Sequence, residues 1–317
     1  MESVINEVDC AWVAIKANAY EQKVRVLLGD DALAQIRSST GSDNARFVKA
    51  LRRTLNELPE GAVPFMQGFN LWRHSPALLD IWRSAHLAGT AAELLGLDGR
   101  RKKLRLYQDS LFVKRPGDGM TNWHTDLAMS PLDCNDFITC WLPLQPIPSV
   151  DQGGSGLVFA GGSHRDVALP FWHGDPRELD DVSNRGYSQL TGGALEVGDA
   201  TFHHGWTLHC APGCSSGQST PRRALAVSYF TDGATVLSSS ARLQPNTEDA
   251  DSYSDWLHDI KLGAPARHKL LPVVWPRPRQ VHRTTGPHRA SQQPKRQRWT
   301  RKKREDRLRT TNHATLP

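Results

Sequence analysis

Between residues 43 and 96 the apolar side chains recur at helical spacing, and from Leu104 onward they fall into short β-type runs. The stretch 43–58 (DNARFVKALRRTLNEL) predicts an amphipathic helix capped by Asp43 or Ser42. Ser75-Pro76 predicts a second helix, with Ser as the cap and Pro at the first helical position. Leu78, Leu79, Trp82, Ala85 and His86 continue it at helical spacing, and Gly89 stops it. Thr90 with Glu93 gives a capping-box pattern for a short third helix ending near Gly96. Then the texture changes. Runs rich in β-branched and aromatic residues occupy 104–114, 136–144, 156–160, 194–197, 200–203, 206–210 and 223–231, separated by Gly and Pro. Short strands with no helix between them predict an antiparallel sandwich or barrel rather than a parallel sheet. The expected organisation is a helical part, 1–103, packed on a β-core, 104–275, followed by a tail, 276–317.

Charge separates the tail from the rest. Thirteen of the 39 Lys and Arg lie from Pro276 onward, against two of the 33 acidic residues, so this segment carries +11 and the remainder −5. It is rich in Pro, Gln, Thr and Arg and poor in aliphatics, a composition that buries too little surface to offset the entropy of ordering. Lys295–Arg309 reads either as a solvated basic run or as a patch contacting nucleic acid or an import receptor. No apolar run approaches the roughly 18 residues of a membrane span. The start carries Glu2, Glu7 and Asp9 and lacks the pattern of a secretory signal. Five scattered cysteines suit a reducing compartment. The expectation is an intracellular protein, cytoplasmic, or nuclear if the basic tail acts as an address.

The chemistry begins at Asn122-Trp123-His124-Thr125-Asp126. On a strand, residues two apart project from one face, so this imidazole and carboxylate can reach one metal. With a second histidine they would complete a two-histidine, one-carboxylate face that leaves positions open for a chelating cosubstrate and oxygen. His164/Asp166 and His173/Asp175 repeat the spacing, so the motif alone is weak. Context favours the first pair. Gly198–His209 (GDATFHHGWTLH) offers a distal histidine, with His203 and His204 as alternatives to His209, and Pro221-Arg222-Arg223-Ala224 follows. On that strand Arg222, Ala224, Ala226 and Ser228 share one face and Arg223 the other. If the small-residue face lines the interior, Arg222 points inward, where its fork suits a carboxylate. Gln108 and Ser110 are candidate cosubstrate or substrate contacts, Lys114-Arg115-Pro116 reads as a solvated turn in preference to a contact with an acidic substrate group, and His204, His209, Cys210 and Cys214 as free groups rather than a zinc site.

The order LYQDSLFVKRPG, NWHTDL, CWLPL, GSGLVFAGGSHR, GDATFHHGWTLHCAPG, PRRALAVSYF resembles the phytanoyl-CoA dioxygenase family from Leu106 to about Thr231, and Leu270–Val274 is similar to its C-terminal end. The resemblance implies an all-β double-stranded β-helix, or jelly-roll, core with flanking helices. It implies iron(II), 2-oxoglutarate and O2 as cofactor and cosubstrates, with ascorbate in support, and hydroxylation of a small or lipid-like substrate with release of succinate and carbon dioxide. Carried over residue by residue, it makes His124, Asp126 and His209 the iron ligands and Arg222 the partner of the distal carboxylate of 2-oxoglutarate. It places Trp141 against the cosubstrate and makes Gly161–Arg165 a structural turn. Ala211 stands where the family often has serine, and Asp126 favours hydroxylation over halogenation. The competing readings are a catalytically silent relative and a nucleic-acid-associated protein acting through its tail.

Overall fold

A computed structural model of the chain describes residues 2–97, 102–166, 186–237 and 248–277. Its strands are β1 (Met66–Phe69), β2 (Leu104–Lys114), β3 (Thr121–His124), β4 (Leu132–Asp133), β5 (Phe137–Pro143) and β6 (Val158–Ala160). They continue as β7 (Gln189–Thr191), β8 (Thr201–His204), β9 (His209–Ala211), β10 (Arg222–Thr231), β11 (Thr235–Val236) and β12 (Val273–Trp275). The larger sheet runs β1-β2-β10-β5-β8 with β12 also on β2, the smaller runs β3-β9-β6-β7, and β11 pairs β4. Every strand pairing is antiparallel, and the architecture is a jelly roll with flanking helices.

Alternation along the larger sheet decides what each face does. Leu104, Leu106 and Leu111 of β2 join Ile138, Cys140, Leu225, Val227 and Tyr229 in a core shared with the helices. The other face presents Ser110, Lys114, Thr139, Trp141, Arg222, Ala226 and Ser228 to a cavity. Each apolar side chain buried on the helical face is worth about 1.5–3 kcal/mol, which fixes the register and with it the cavity lining.

The helices are α1 (Glu2–Thr40), α2 (Asn44–Asn56), α3 (Pro76–Trp82), α4 (Thr90–Leu94) and α5 (Glu248–Leu257). The α2 helix starts at Asp43, whose carboxylate accepts the Arg46 N–H at 3.0 Å, and buries Phe47, Leu51 and Leu55. Ser75 caps α3 with Pro76 behind it, as read from the sequence. The expected run to Gly89 is interrupted, however. The α3 helix ends at Trp82, and a wider turn over Ala85–Gly89 follows, with Ser84 accepting the Leu87 N–H. Thr90 is itself helical, so the expected capping box does not form. The helix α1 goes beyond the elements that the apolar pattern predicts. Its buried positions include Val8, Ala11, Ala19, Lys23 and Val24, spaced like a helix but with small or charged side chains, so the apolar stripe is faint.

Two strand assignments shift. At 194–197 only isolated bridges form, Ile147 with Leu195 and Val197 with Asp199, and the strand lies earlier, at Gln189–Thr191. At 206–210 a turn closed by Thr207 N–H to His204 O delays β9 until His209. Within 1–103 the structure adds β1, which pairs with Ser110–Val113 of β2. The tail from residue 278, with Lys295–Arg309, and the pair His173/Asp175 lie outside the described residues.

One buried carboxylate joins the two layers. Asp109 on β2 accepts from Trp82 Nε1 at 2.7 Å and from Trp72 N–H at 3.1 Å. Burial pushes its pKa up to about 7 against those hydrogen bonds. A raised carboxylate pKa stabilises the fold fully below the unfolded value and loses that contribution as pH rises through about 7. Asp109→Asn should therefore flatten the stability profile between about pH 4 and 7, where the wild type loses on the order of 4 kcal/mol from this group. Urea denaturation of both proteins across that range checks it; parallel profiles would refute it.

Candidate active site

The centre lies where the two sheets are pinned together. His124 ends β3 and sits opposite His209, the first residue of β9, in the strand register. Asp126 lies beyond the strand, at the start of a one-turn 3-10 helix over Leu127–Met129, with helical φ/ψ. The i, i+2 strand argument for His124 and Asp126 is thus corrected: the turn, not a shared strand face, brings the carboxylate back. One ligand atom from each of His124, Asp126 and His209 lies within 4.8 Å of the others.

Hydrogen bonds decide which atoms are presented. His124 Nδ1 lies 2.8 Å from Asn122 O, and His209 Nδ1 lies 3.0 Å from Thr207 O. A carbonyl only accepts, so each Nδ1 carries a proton, and it is Nε2 of each ring that is turned toward Asp126. Those Nε2 atoms are 3.8 and 3.6 Å from Asp126 Oδ1. The other carboxylate oxygen, Oδ2, is occupied: Thr139 Oγ1 donates to it at 2.6 Å and His203 Nε2 contacts it at 3.0 Å. Thr139 Oγ1 in turn meets Ser228 Oγ at 2.9 Å. Burial pushes the His209 pKa well below its ordinary value, reinforced by His124 and His203. Burial alone would raise Asp126, but His209 together with His203 and His124 holds its carboxyl well below the usual range. Two imidazoles presenting Nε2 and a carboxylate presenting Oδ1 are a donor set that fits a divalent iron.

His203 was the alternative ligand. Its ring centre lies 4.4 Å from that of His209, the planes tilted by 52°, but its Nε2 is directed to Asp126 Oδ2 and its buried Nδ1 has no partner among the described residues. It is placed to hold the carboxylate. His204 turns elsewhere, with its ring 5.4 Å from His164 and its Nδ1 accepting from Trp206 N–H. Cys214 donates to Gln218 at 3.0 Å, and the ligand atoms of His204, Cys210 and Cys214 do not gather with those of His209, so the zinc-like set does not come together. The turn Gly161–Arg165 braces β9: Ser163 Oγ donates to Ala160 O and accepts the Leu208 N–H.

A cavity of about 260 Å³ opens beside the triad. Arg222, Trp141, Gln108 and Ser110 all line it, as does Ala211. Arg222 is held by Ser155, through Nε to Oγ at 3.2 Å and Nη2 to the carbonyl at 2.9 Å, and its guanidinium carbon lies 5.5 Å from the Trp141 ring centre. The loop brings Ser155 there because Gly154 has no Cβ to collide with the Pro148 carbonyl. Arg223 points away and pairs with Asp9 of α1.

Lys114 overturns the solvated-turn reading. It is fully buried at the end of β2, opposite Arg222 in register, and donates to Gly119 O at 2.6 Å and Pro212 O at 2.7 Å. Burial pulls its pKa down to about 7, with Arg222 adding to the effect. Parity offered a signal, since Gln108, Ser110, Phe112 and Lys114 share a face of one strand. No such signal existed for Tyr107. A bulge in β2 opposite Ser228/Tyr229 lets Tyr107 and Gln108, adjacent in sequence, both line the cavity.

This fold with this donor set defines the class of iron- and 2-oxoglutarate-dependent oxygenases. The profile of the phytanoyl-CoA dioxygenase family (PhyH) matches residues 23–224, and the chain belongs to that family. Among solved structures it is similar to the non-heme alpha ketoglutarate dependent carbocyclase SnoK from nogalamycin biosynthesis, at 22% identity and a TM-score of 0.53, over 78% of this chain and 96% of that one. It is also similar to the alpha ketoglutarate dependent epimerase SnoN from the same biosynthesis, at 18% identity and a TM-score of 0.51, over 82% of this chain and 98% of that one. No curated protein sequence matches significantly. Among the described residues no helix is long and apolar enough to cross a membrane.

Losing the His203 brace should weaken the metal site without destroying it. His203→Ala is expected to lower iron affinity by about 10–100-fold, the usual cost of a lost outer partner. His203→Gln, which can still donate to Asp126, should recover most of it. Competition with a chelator of known affinity measures both; an Ala variant equal to wild type would exclude the bracing role.

Proposed function

We propose that this chain is an iron(II)- and 2-oxoglutarate-dependent dioxygenase that hydroxylates a small or lipid-like organic substrate. The observation that carries the reading is the pairing of two converging imidazole Nε2 atoms and a free Asp126 Oδ1 with a buried cationic pocket in the same cavity. His124, Asp126 and His209 would hold the iron. Bound there, iron supplies the oxidation of a carbon–hydrogen bond by O2 coupled to the breakdown of 2-oxoglutarate to succinate and carbon dioxide.

The protein's part is positioning. Arg222 and Lys114, whose hydrogen bonds go to neutral oxygens, present buried positive charge to the distal carboxylate of 2-oxoglutarate. Ala211 carries no hydroxyl, but the Lys114 ammonium, held by the Gly119, Ala211 and Pro212 carbonyls, leaves positive charge beside that position, which favours a competent cosubstrate end over a silent relative. Trp141 and Leu157 wall that end. The cavity is also lined by Phe65, Tyr107 and Phe137, which offer aromatic surface, with Gln67 and Gln108 as hydrogen-bonding groups. A neutral, largely apolar substrate suits this lining.

The test is a metabolite screen for succinate formation that depends on both iron and substrate. A candidate that raises succinate and appears as a product one oxygen heavier supports hydroxylation. A product with rearranged bonds and no added oxygen would place the chain with oxidative cyclases or epimerases instead. Failure of iron to support any 2-oxoglutarate turnover would refute the reading.

A further inference from the structure

At one level of the larger sheet a row of polar side chains crosses four strands. His203 of β8 stands opposite Thr139 of β5, Thr139 opposite Ser228 of β10, and Ser228 opposite Gln108 of β2 in the strand register. All of them line the reaction cavity. At one end His203 and Thr139 hold Asp126 Oδ2. At the other, Ser252 Oγ of α5 donates to Gln108 Oε1 at 2.7 Å. Inside the row Thr139 Oγ1 and Ser228 Oγ meet at 2.9 Å. Between Ser228 and Gln108, both among the described residues, the chain of hydrogen bonds is broken. Residues directly opposite on paired strands have Cβ atoms only about 5 Å apart, so the break is a local gap on the cavity wall.

The row has a fixed polarity. A carboxylate only accepts, so the single hydroxyl proton of Thr139 goes to Asp126. Ser228 must then donate to Thr139, which leaves only the lone pairs of Ser228 Oγ for a group in the cavity. The Gln108 amide is fixed the other way. Its oxygen is taken by Ser252, so it offers the N–H groups of Nε2. That nitrogen has no partner among the described residues, and it is not one of their buried unpartnered side-chain atoms, so it keeps accessible surface in a residue that lines the cavity.

An acceptor therefore faces a donor across the gap. A carboxylate cannot donate to Ser228, and an ammonium cannot accept from Gln108. A hydroxyl does both through one oxygen. We propose that the substrate is a neutral alcohol, whose hydroxyl donates to Ser228 Oγ and accepts from Gln108 Nε2. The pair sets specificity, because a site built around a hydroxyl leaves its own polar groups unpaired when an analogue lacks it. This names the substrate class of the dioxygenase reading and rests on that reading, although binding of the hydroxyl needs no turnover. It also assigns Gln108 to the substrate rather than to 2-oxoglutarate, whose oxygens only accept.

Calorimetric titration of the full chain with three probes of one ring size tests the gap: cyclohexanol donates and accepts, cyclohexanone only accepts, and cyclohexylammonium only donates. Cyclohexanol should bind roughly fivefold more tightly than either, the effect of about one hydrogen bond. Ser228→Ala should erase the preference for cyclohexanol over cyclohexanone. Gln108→Glu exchanges the donor for an acceptor and should favour cyclohexylammonium over cyclohexanol. Equal binding of cyclohexanol and cyclohexanone by the wild type, a preference retained in Ser228→Ala, or no binding of cyclohexanol would overturn the proposal and leave water in the gap. Should Ser228→Ala fail to fold, the switch in Gln108→Glu decides alone, and its absence overturns the proposal too. A 2-oxoglutarate affinity lowered roughly fivefold or more in Gln108→Leu would overturn it as well, because the row would then serve the cosubstrate. Probe affinities as stated, with no turnover of 2-oxoglutarate, would count against the dioxygenase reading and leave the alcohol site standing.

Discussion

Asp126→Ala should yield a folded protein that retains no iron after gel filtration and shows no substrate-coupled turnover, where the wild type holds about one iron per chain. The reasoning starts from the carboxylate's two oxygens. Oδ2 is fixed by Thr139 and His203, so Oδ1 is delivered to the point where the His124 and His209 Nε2 atoms converge. Outer partners of a metal site typically cost about 10–100-fold when removed, so a donor within the face should cost more. The same change strands Thr139 and His203 without their acceptor, at about 1–3 kcal/mol of stability, so thermal unfolding must accompany the iron measurement. Asp126→Asn keeps the shape and separates the two effects: it should preserve the fold and still lose the iron. Unchanged iron affinity in both variants would mean that the metal sits elsewhere.

The second large effect concerns the pair of buried cations. Arg222→Ala should raise the 2-oxoglutarate concentration needed for half-maximal turnover by more than roughly tenfold, since a lost partner of a buried charge costs about 2–5 kcal/mol. Arg223→Ala should change it little, because Arg223 faces α1 and its pair with Asp9 is a surface one, worth about 0–1 kcal/mol. Lys114 adds a pH signature. Burial, and then Arg222, lower its pKa to about 7. Lysine is the charged partner only below its pKa, so cosubstrate affinity should weaken as pH rises through about 7, by up to roughly tenfold per pH unit. Lys114→Met should bind more weakly and lose that slope. In Arg222→Ala the slope should move to higher pH, because the neighbouring positive charge is gone. Equal effects of the two arginines, or an unaltered slope in Lys114→Met, would break the assignment.

Local chemistry settled a good part of this protein in advance. The caps at Asp43 and Ser75, the strand at 104–114 and the inward parity of Arg222 follow from hydrogen-bonding groups and a period of two, which depend only on near neighbours. The candidate triad His124, Asp126 and His209 was legible because motif order survives in sequence. Other features needed the folded chain. The placement of Asp126 depends on a turn after β3, and the role of His203 depends on β8 lying against β5, neither of which leaves a trace in spacing. The bulge that aims both Tyr107 and Gln108 into the cavity is likewise a property of the strand pair. Lys114 looked solvated because lysine usually is. Only the closure of β2, β10 and the loop after Ala211 showed three carbonyls positioned to bury its charge. Residue identity and near-neighbour chemistry specify which donors the chain owns and the local elements that carry them. Tertiary structure decided which of their lone pairs and charges meet, because that depends on contacts between residues as far apart as Asp126 and His203, and the energy of such contacts is set by burial, not by order along the chain.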